Sequence, residues 1–198
     1  MSIKVKNITE DELQKFYEDI TVQLAQKHID TTPLAVIGVA NNGIDVSKGI
    51  AKQLQKSYFT DVRVSTIVCR RPHSRHMDQN FLFQKLKKYL LKMPGFFLNG
   101  LRLVEHYVLS SMRPSQREVI LSDDFDMLLA QDVFLIVDDA VDSGHSMKAV
   151  VDEMHRLLKN KTLYTIAVVT TQKKPVFDVD FCQYREVLVR FPWSVDKA

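Results

Sequence analysis

The stretch from Val133 to Ser146, Val-Phe-Leu-Ile-Val-Asp-Asp-Ala-Val-Asp-Ser-Gly-His-Ser, constrains the fold more than any other part of the chain. Val133 to Val137 is an unbroken apolar run, which reads as a strand buried on both faces. That strand ends on two adjacent carboxylates, Asp138 and Asp139, and a third, Asp142, follows at once. A short turn of Ser143, Gly144, His145 and Ser146 then leads into a periodic helix. Met147, Val150, Val151, Met154, Leu157 and Leu158 share one face of it. Acids and hydroxyls are thereby set at the carboxyl end of a strand, where open α/β sheets bind ligands. The turn feeds a helix N-terminus, whose unpaired N–H groups and positive dipole end suit a phosphate.

The rest of the chain repeats this rhythm. Residues 9–29 predict an amphipathic helix, with capping-box spacing at Thr9 and Glu12 and with Leu13, Phe16, Ile20 and Leu24 on one face. Thr31-Thr32-Pro33 stops it, and Leu34 to Val39 predicts a first buried strand. Ala40-Asn41-Asn42-Gly43-Ile44 leads to a helix from Asp45, with Val46, Ile50, Ala51 and Leu54 inward. Further strands are expected over Val62 to Val68, Thr165 to Val169 and Val187 to Val189. Strands alternating with helices argue for an α/β fold on a parallel sheet.

Residues 70–117 break the rhythm. They carry ten Lys and Arg against two acids, about +8, which leaves about −5 of the chain's total of +3 for everything else. Phe81 to Leu91 predicts a helix, and Leu103 to Ser110 a returning strand. Such a basic insertion suits a lid over a polyanionic substrate combined with a dimer contact. Ordinary packing with solvated lysines is the second reading, and a nucleic-acid patch the weakest of the three. His73 and His76 stand three apart in this segment with no third metal ligand near, so they read as surface histidines.

With 45% apolar and 26% charged residues, the composition is that of an ordinary globular protein. No apolar run reaches membrane-spanning length, and the opening Met-Ser-Ile-Lys-Val-Lys-Asn has no signal-like apolar region. Cys69 and Cys182 are too few for a disulfide framework, so a cytoplasmic location is expected. Neither the P-loop nor the dinucleotide-binding glycine fingerprint is present.

The order of apolar strand, two acids, then Asp-Ser/Thr-Gly-x-Ser/Thr resembles the ribose-phosphate signature of the type I phosphoribosyltransferases. Residues 133–146 match it without a gap. Val168-Val-Thr-Thr-Gln-Lys-Lys-Pro175, followed by Val187-Leu-Val-Arg-Phe-Pro-Trp193, is similar to the tail of the xanthine-guanine type purine enzymes. Those have a Lys-Pro after the strand and an aromatic-Ile-x-x-Pro-Trp ending. The resemblance implies one domain over residues 1–198, a twisted and mostly parallel sheet flanked by helices. It also implies a small hood over residues 171–198 and treats residues 70–117 as an insertion.

The activity so implied is transfer of a phosphoribosyl group from phosphoribosyl pyrophosphate to a 6-oxopurine, with Mg²⁺ as cofactor and a homodimer as assembly. By the same resemblance Asp138 and Asp139 hold the ribose hydroxyls and the metal, and Asp142 accepts the N7 proton of the base. Ser143, Gly144, His145 and Ser146 wrap the 5′-phosphate, and Asn41, Asn42 and Gly43 stand where the family contacts pyrophosphate. The family usually has Arg-Gly or Lys-Gly in that loop, so Arg70 or Arg71 is expected to supply the cation here. Lys174 donates to the purine 6-oxygen. Leu188, in place of a stacking aromatic ring, and the backbone around Val189 meet the base. Asn41, Asn42 and Leu188 also leave open a regulatory protein of the same fold that binds such ligands without turning them over.

Overall fold

The computed structural model describes residues 5–29, 32–57, 59, 61–70 and 117–194. Arg71, the helix expected over Phe81 to Leu91 and the strand expected over Leu103 to Ser110 lie outside them. The chain divides into two compact units, residues 1–69 with 119–192, and residues 70–118 with 193–198.

In chain order the described elements are β1 (Val5–Asn7), α1 (Glu10–Gln26), β2 (Leu34–Val39), α2 (Gly43–Lys56), β3 (Val62–Arg70) and β4 (Glu118–Leu121). A 3-10 turn at Phe125–Leu128 follows, then β5 (Val133–Val141), α3 (His145–Leu157), β6 (Thr162–Thr170), β7 (Phe181–Arg185) and β8 (Leu188–Arg190). Among the described residues two sheets form. One has six strands in the order β4-β3-β2-β5-β6-β7, and the other pairs β1 with β8. The β2–β3, β2–β5, β5–β6 and β6–β7 pairings are all parallel. The expected α/β architecture is present.

Helices cover both faces of the large sheet, which is why β2 is buried along its whole length. Side chains alternate along a strand. Ala35, Ile37 and Val39 of β2, with Phe134 and Ile136 of β5, join Met147, Val150, Val151 and Met154 of α3 in one cluster. The opposite face lies under α2. A Cβ added to Gly38 would come within 2.5 Å of the Ser47 hydroxyl and 2.8 Å of the Ile44 backbone. Phe134, Leu135 and Ile136 are completely excluded from solvent. Truncating one such aromatic or aliphatic chain to Ala costs about 2–5 kcal/mol.

The elements differ from expectation at particular ends. The acidic strand continues to Val141, because Ala140 and Val141 pair with Val169 and Thr170 of β6. Asp138 and Asp139 therefore stand on the strand itself. α2 begins at Gly43, two residues before the expected Asp45, and α3 already includes His145 and Ser146. The last expected strand, β8, is shifted by one residue and pairs with β1 in place of joining the large sheet. Among the described residues no helix is long and apolar enough to cross a membrane.

Candidate functional site

From β2 the chain proceeds outward to β3, and from β5 it proceeds the other way to β6 and β7. The order of strands thus reverses between β2 and β5. Loops leaving two such neighbours diverge to opposite faces and leave a crevice at the carboxyl ends. Two loops border this one, residues 40–42 after β2 and residues 142–144 after β5.

The first loop is pressed onto the acidic strand. A Cβ on Gly43 would lie 2.8 Å from the Val137 carbonyl oxygen, 3.0 Å from the Asp138 Cα and 3.1 Å from its Oδ1. Only glycine permits that approach. The peptide between Ala40 and Asn41 is cis, and the Ala40 N–H donates to the Ile67 carbonyl (2.9 Å). Asn42 is the N-cap of α2 without a side-chain cap bond, and it lies near enough to Asp139 to pull that carboxyl down. Asn42 and Gly43, nearly a hundred positions away in sequence, are thus brought close to the acids.

The electrostatics of the acidic pair follow from this packing. Asp138 keeps some exposed surface as a residue, yet its carboxyl group is enclosed by protein. Burial first, and the neighbouring Asp139 charge second, push it well above the ordinary carboxylate range. Burial likewise raises Asp139, against the opposing pull of the Asn42 side chain. The Asp139 N–H donates to Asp138 Oδ1 at 2.9 Å. No cation among the described residues contributes to either shift. A pair of enclosed carboxylates without a positive partner is costly, and it holds protons or attracts a cation.

The second loop runs from Asp142 into α3. Gly144 is the N-cap of that helix in the left-handed conformation, φ 81°, and no side chain among the described residues caps it. The first turn of α3 therefore presents its backbone N–H groups, with the dipole's positive end behind them. Gly144 is also hemmed in, since a Cβ there would meet the Phe177 N and O at 2.8 Å. The loop is braced again where the Val176 N–H donates to the Ser143 carbonyl (2.9 Å).

Asp142, Ser143, His145 and Ser146 are partly exposed beside the acidic pair in sequence, and Asn41 and Asn42 are exposed on the opposite loop. Lys174 is exposed in the crossover between β6 and β7, while Leu188 and Val189 are partly buried in β8. Arg70 is the exposed last residue of β3. Among the described residues no three acids, histidines or cysteines gather as a ready-made metal cage.

Two relations escaped the sequence. One is the nearness of Asn42 to Asp139, whose carboxyl it pulls down. The other joins Asp142 to Thr171, whose hydroxyl donates to Asp142 Oδ1 at 2.5 Å. Nothing in the spacing links position 142 to position 171. The only signal is the polar pair Thr170-Thr171 directly after the apolar run Ile166 to Val169.

No protein-family model matches the sequence, and no curated protein matches it. Solved structures do match. The xanthine-guanine-hypoxanthine phosphoribosyltransferase of Helicobacter pylori aligns with a TM-score of 0.60 at 14% identity, over 97% of this chain and 95% of that one. The purine phosphoribosyltransferase of Pyrococcus horikoshii Ot3 gives 0.58 at 13% identity, over 96% and 94%. The hypoxanthine phosphoribosyltransferase of Trypanosoma cruzi, solved with the product IMP, gives 0.56 at 14% identity, over 89% and 77%. At such identities the likeness is one of fold: the chain has the phosphoribosyltransferase-like α/β architecture that its acidic strand resembled.

Proposed function

We propose that the chain transfers the 5-phosphoribosyl group of phosphoribosyl pyrophosphate to a 6-oxopurine, releasing pyrophosphate and a nucleoside monophosphate. The observation that carries this reading is the pairing of two enclosed carboxylates with an uncapped helix N-terminus across a single loop. A phosphorylated sugar carries both an anion and a ring of hydroxyls, and the two features answer one each. The shared fold supports the same reading.

In this reading the first-turn N–H groups of α3 and the hydroxyls of Ser143 and Ser146 hold the 5′-phosphate. Asp138 and Asp139 accept from the ribose hydroxyls, and their charge favours the positive ring that develops as pyrophosphate departs. Asp142 takes the N7 proton of the incoming base. Lys174 donates to the 6-oxygen, and Leu188 with the backbone of Val189 meets the base plane and edge. The backbone N–H groups from Asn41 to Gly43 face the pyrophosphate, with Arg70 or Arg71 as its cation.

Magnesium fits the donor set. It is held by one or two carboxylates plus substrate oxygens, with no need of a full protein cage. Asp138 and Asp139 offer two carboxylates lacking a cationic partner among the described residues. When bound, the ion supplies positive charge to the leaving pyrophosphate.

A second reading is binding without turnover, since Asn41 and Asn42 stand where the resembled family carries a cation in its loop, and Leu188 stands where it stacks an aromatic ring. Incubation with Mg²⁺, phosphoribosyl pyrophosphate and a panel of purine and pyrimidine bases separates the two. Transfer predicts a nucleoside monophosphate with a 6-oxopurine. Binding of phosphoribosyl pyrophosphate with no product from any base favours the second reading. Asp142→Asn is expected to abolish product formation while phosphoribosyl pyrophosphate binding stays nearly intact. Equal loss of both refutes the proton-accepting role.

A further inference from the structure

Thr171 follows the last residue of β6, so its position is set by the sheet. Its N–H donates to the Val141 carbonyl at 3.0 Å, extending by one step the ladder in which Val141 pairs with Thr170. From that fixed point its hydroxyl donates to Asp142 Oδ1. Asp142 itself lies one residue beyond β5, where the strand no longer dictates the direction of a side chain. Ladder and hydroxyl together therefore hold one oxygen of that carboxylate at a point set by the sheet.

The same crossover grips the following residues. The Val176 N–H donates to Ser143, and the Phe177 backbone closes on Gly144. The segment after β6 thus touches three consecutive residues of the loop after β5, once by a side chain and twice by backbone. The two backbone contacts hold the loop's path. Only the Thr171 hydroxyl acts on a group with chemistry of its own.

We infer that Thr171 is a positioning residue for the base. It orients Asp142 so that one carboxylate oxygen is engaged by the protein and the carboxylate meets the N7 side of the purine in a single geometry. This rests on the transfer reading above, in which Asp142 meets N7. A hydroxyl that donates to one oxygen of a carboxylate restricts the rotation of the group and so orders its other oxygen. The valine variant removes the hydroxyl and keeps the branched shape, whereas serine keeps the hydroxyl and removes only a methyl group.

The test is calorimetric titration with phosphoribosyl pyrophosphate and Mg²⁺, and then of the saturated complex with 9-deazahypoxanthine. That base analogue keeps the N7 proton and carries carbon at the position that would be ribosylated, so binding is read without turnover. Thr171→Val is expected to weaken the analogue by about tenfold, the loss that follows removal of one hydrogen bond to a charged group. Its phosphoribosyl pyrophosphate affinity should stay within about twofold, and Thr171→Ser should recover most of the analogue affinity. In turnover the same pair should separate through kcat and the KM for base, with the KM for phosphoribosyl pyrophosphate unmoved. Unchanged analogue binding in Thr171→Val, equal weakening of both ligands, or a serine variant as poor as the valine one overturns the inference. Wild-type protein that binds neither ligand instead overturns the transfer reading, and the role of Thr171 falls with it.

Discussion

Asp138 sits where chemistry and stability pull apart. Its carboxyl is enclosed, so the folded chain prefers it protonated, with burial as the main cause and Asp139 as the second. A carboxyl raised in the folded state contributes its full stability below its unfolded value of about 4, and that stability is lost as pH climbs through the raised value. Asp138→Asn keeps the shape and removes the charge. It is therefore expected to raise the Tm of the ligand-free protein at pH 7 by several degrees, a gain that shrinks toward zero on acidification to about pH 4. Thermal melts of both proteins across that range check the sign, and an unchanged or lowered Tm at pH 7 contradicts it. Gly144 is constrained differently. Its φ of 81° and its closeness to the Phe177 backbone leave no space for a methyl group. Gly144→Ala should cost roughly 1–3 kcal/mol in urea unfolding and weaken ribose 5-phosphate binding, because either the loop or the crossover must move.

At the scale of elements, the two-stranded β1–β8 sheet deserves its own account, since a strand pair this short is marginal alone. It is tied down by Glu12. That residue completes the capping box of α1 with Thr9, accepts from Lys6 of β1 at 2.7 Å, and receives the Tyr184 hydroxyl at 3.4 Å. Lys6 also lies over the Tyr184 ring, 5.0 Å from its centroid. These partners, Lys6 foremost and the Thr9 N–H next, pull Glu12 down to about 2. A lowered carboxyl stabilises the fold above its unfolded value, and that help disappears as pH falls toward the folded one. Glu12→Gln should thus lower the urea midpoint at pH 7, and the gap to wild type should narrow steadily between about pH 4.5 and pH 2. A gap that persists at the acid end points to lost packing in place of lost charge. The same elements show what periodicity could and could not reveal. α1 and β2 were legible because each presents a long apolar pattern to one core. β1, β4 and β7 were not, because three to five mixed residues become strands only when a distant partner supplies the ladder.

For the whole molecule, ligand binding and folding are linked, because the crevice exists only once β2 and β5 are side by side. Phosphoribosyl pyrophosphate with Mg²⁺, at a hundredfold over its Kd, is expected to raise the Tm by roughly 5–10 °C. A chelator should remove most of that shift, and a shift indifferent to chelation argues against the metal. By itself the sequence determined the α/β class, the central helices and strands, and the acidic strand with its phosphate-suited turn. Those signals are local: an apolar run, a helical period, a capping residue and a chain of acids are each complete within about fifteen neighbouring residues. Only the tertiary structure decided that the order of strands reverses between β2 and β5. It alone set Gly43 against Asp138, brought Asn42 near Asp139, and fastened Asp142 to Thr171. Each of these depends on which parallel strands become neighbours and on how far each runs past the sheet. That choice is made by burial of both sheet faces at once, which no single segment of the chain records.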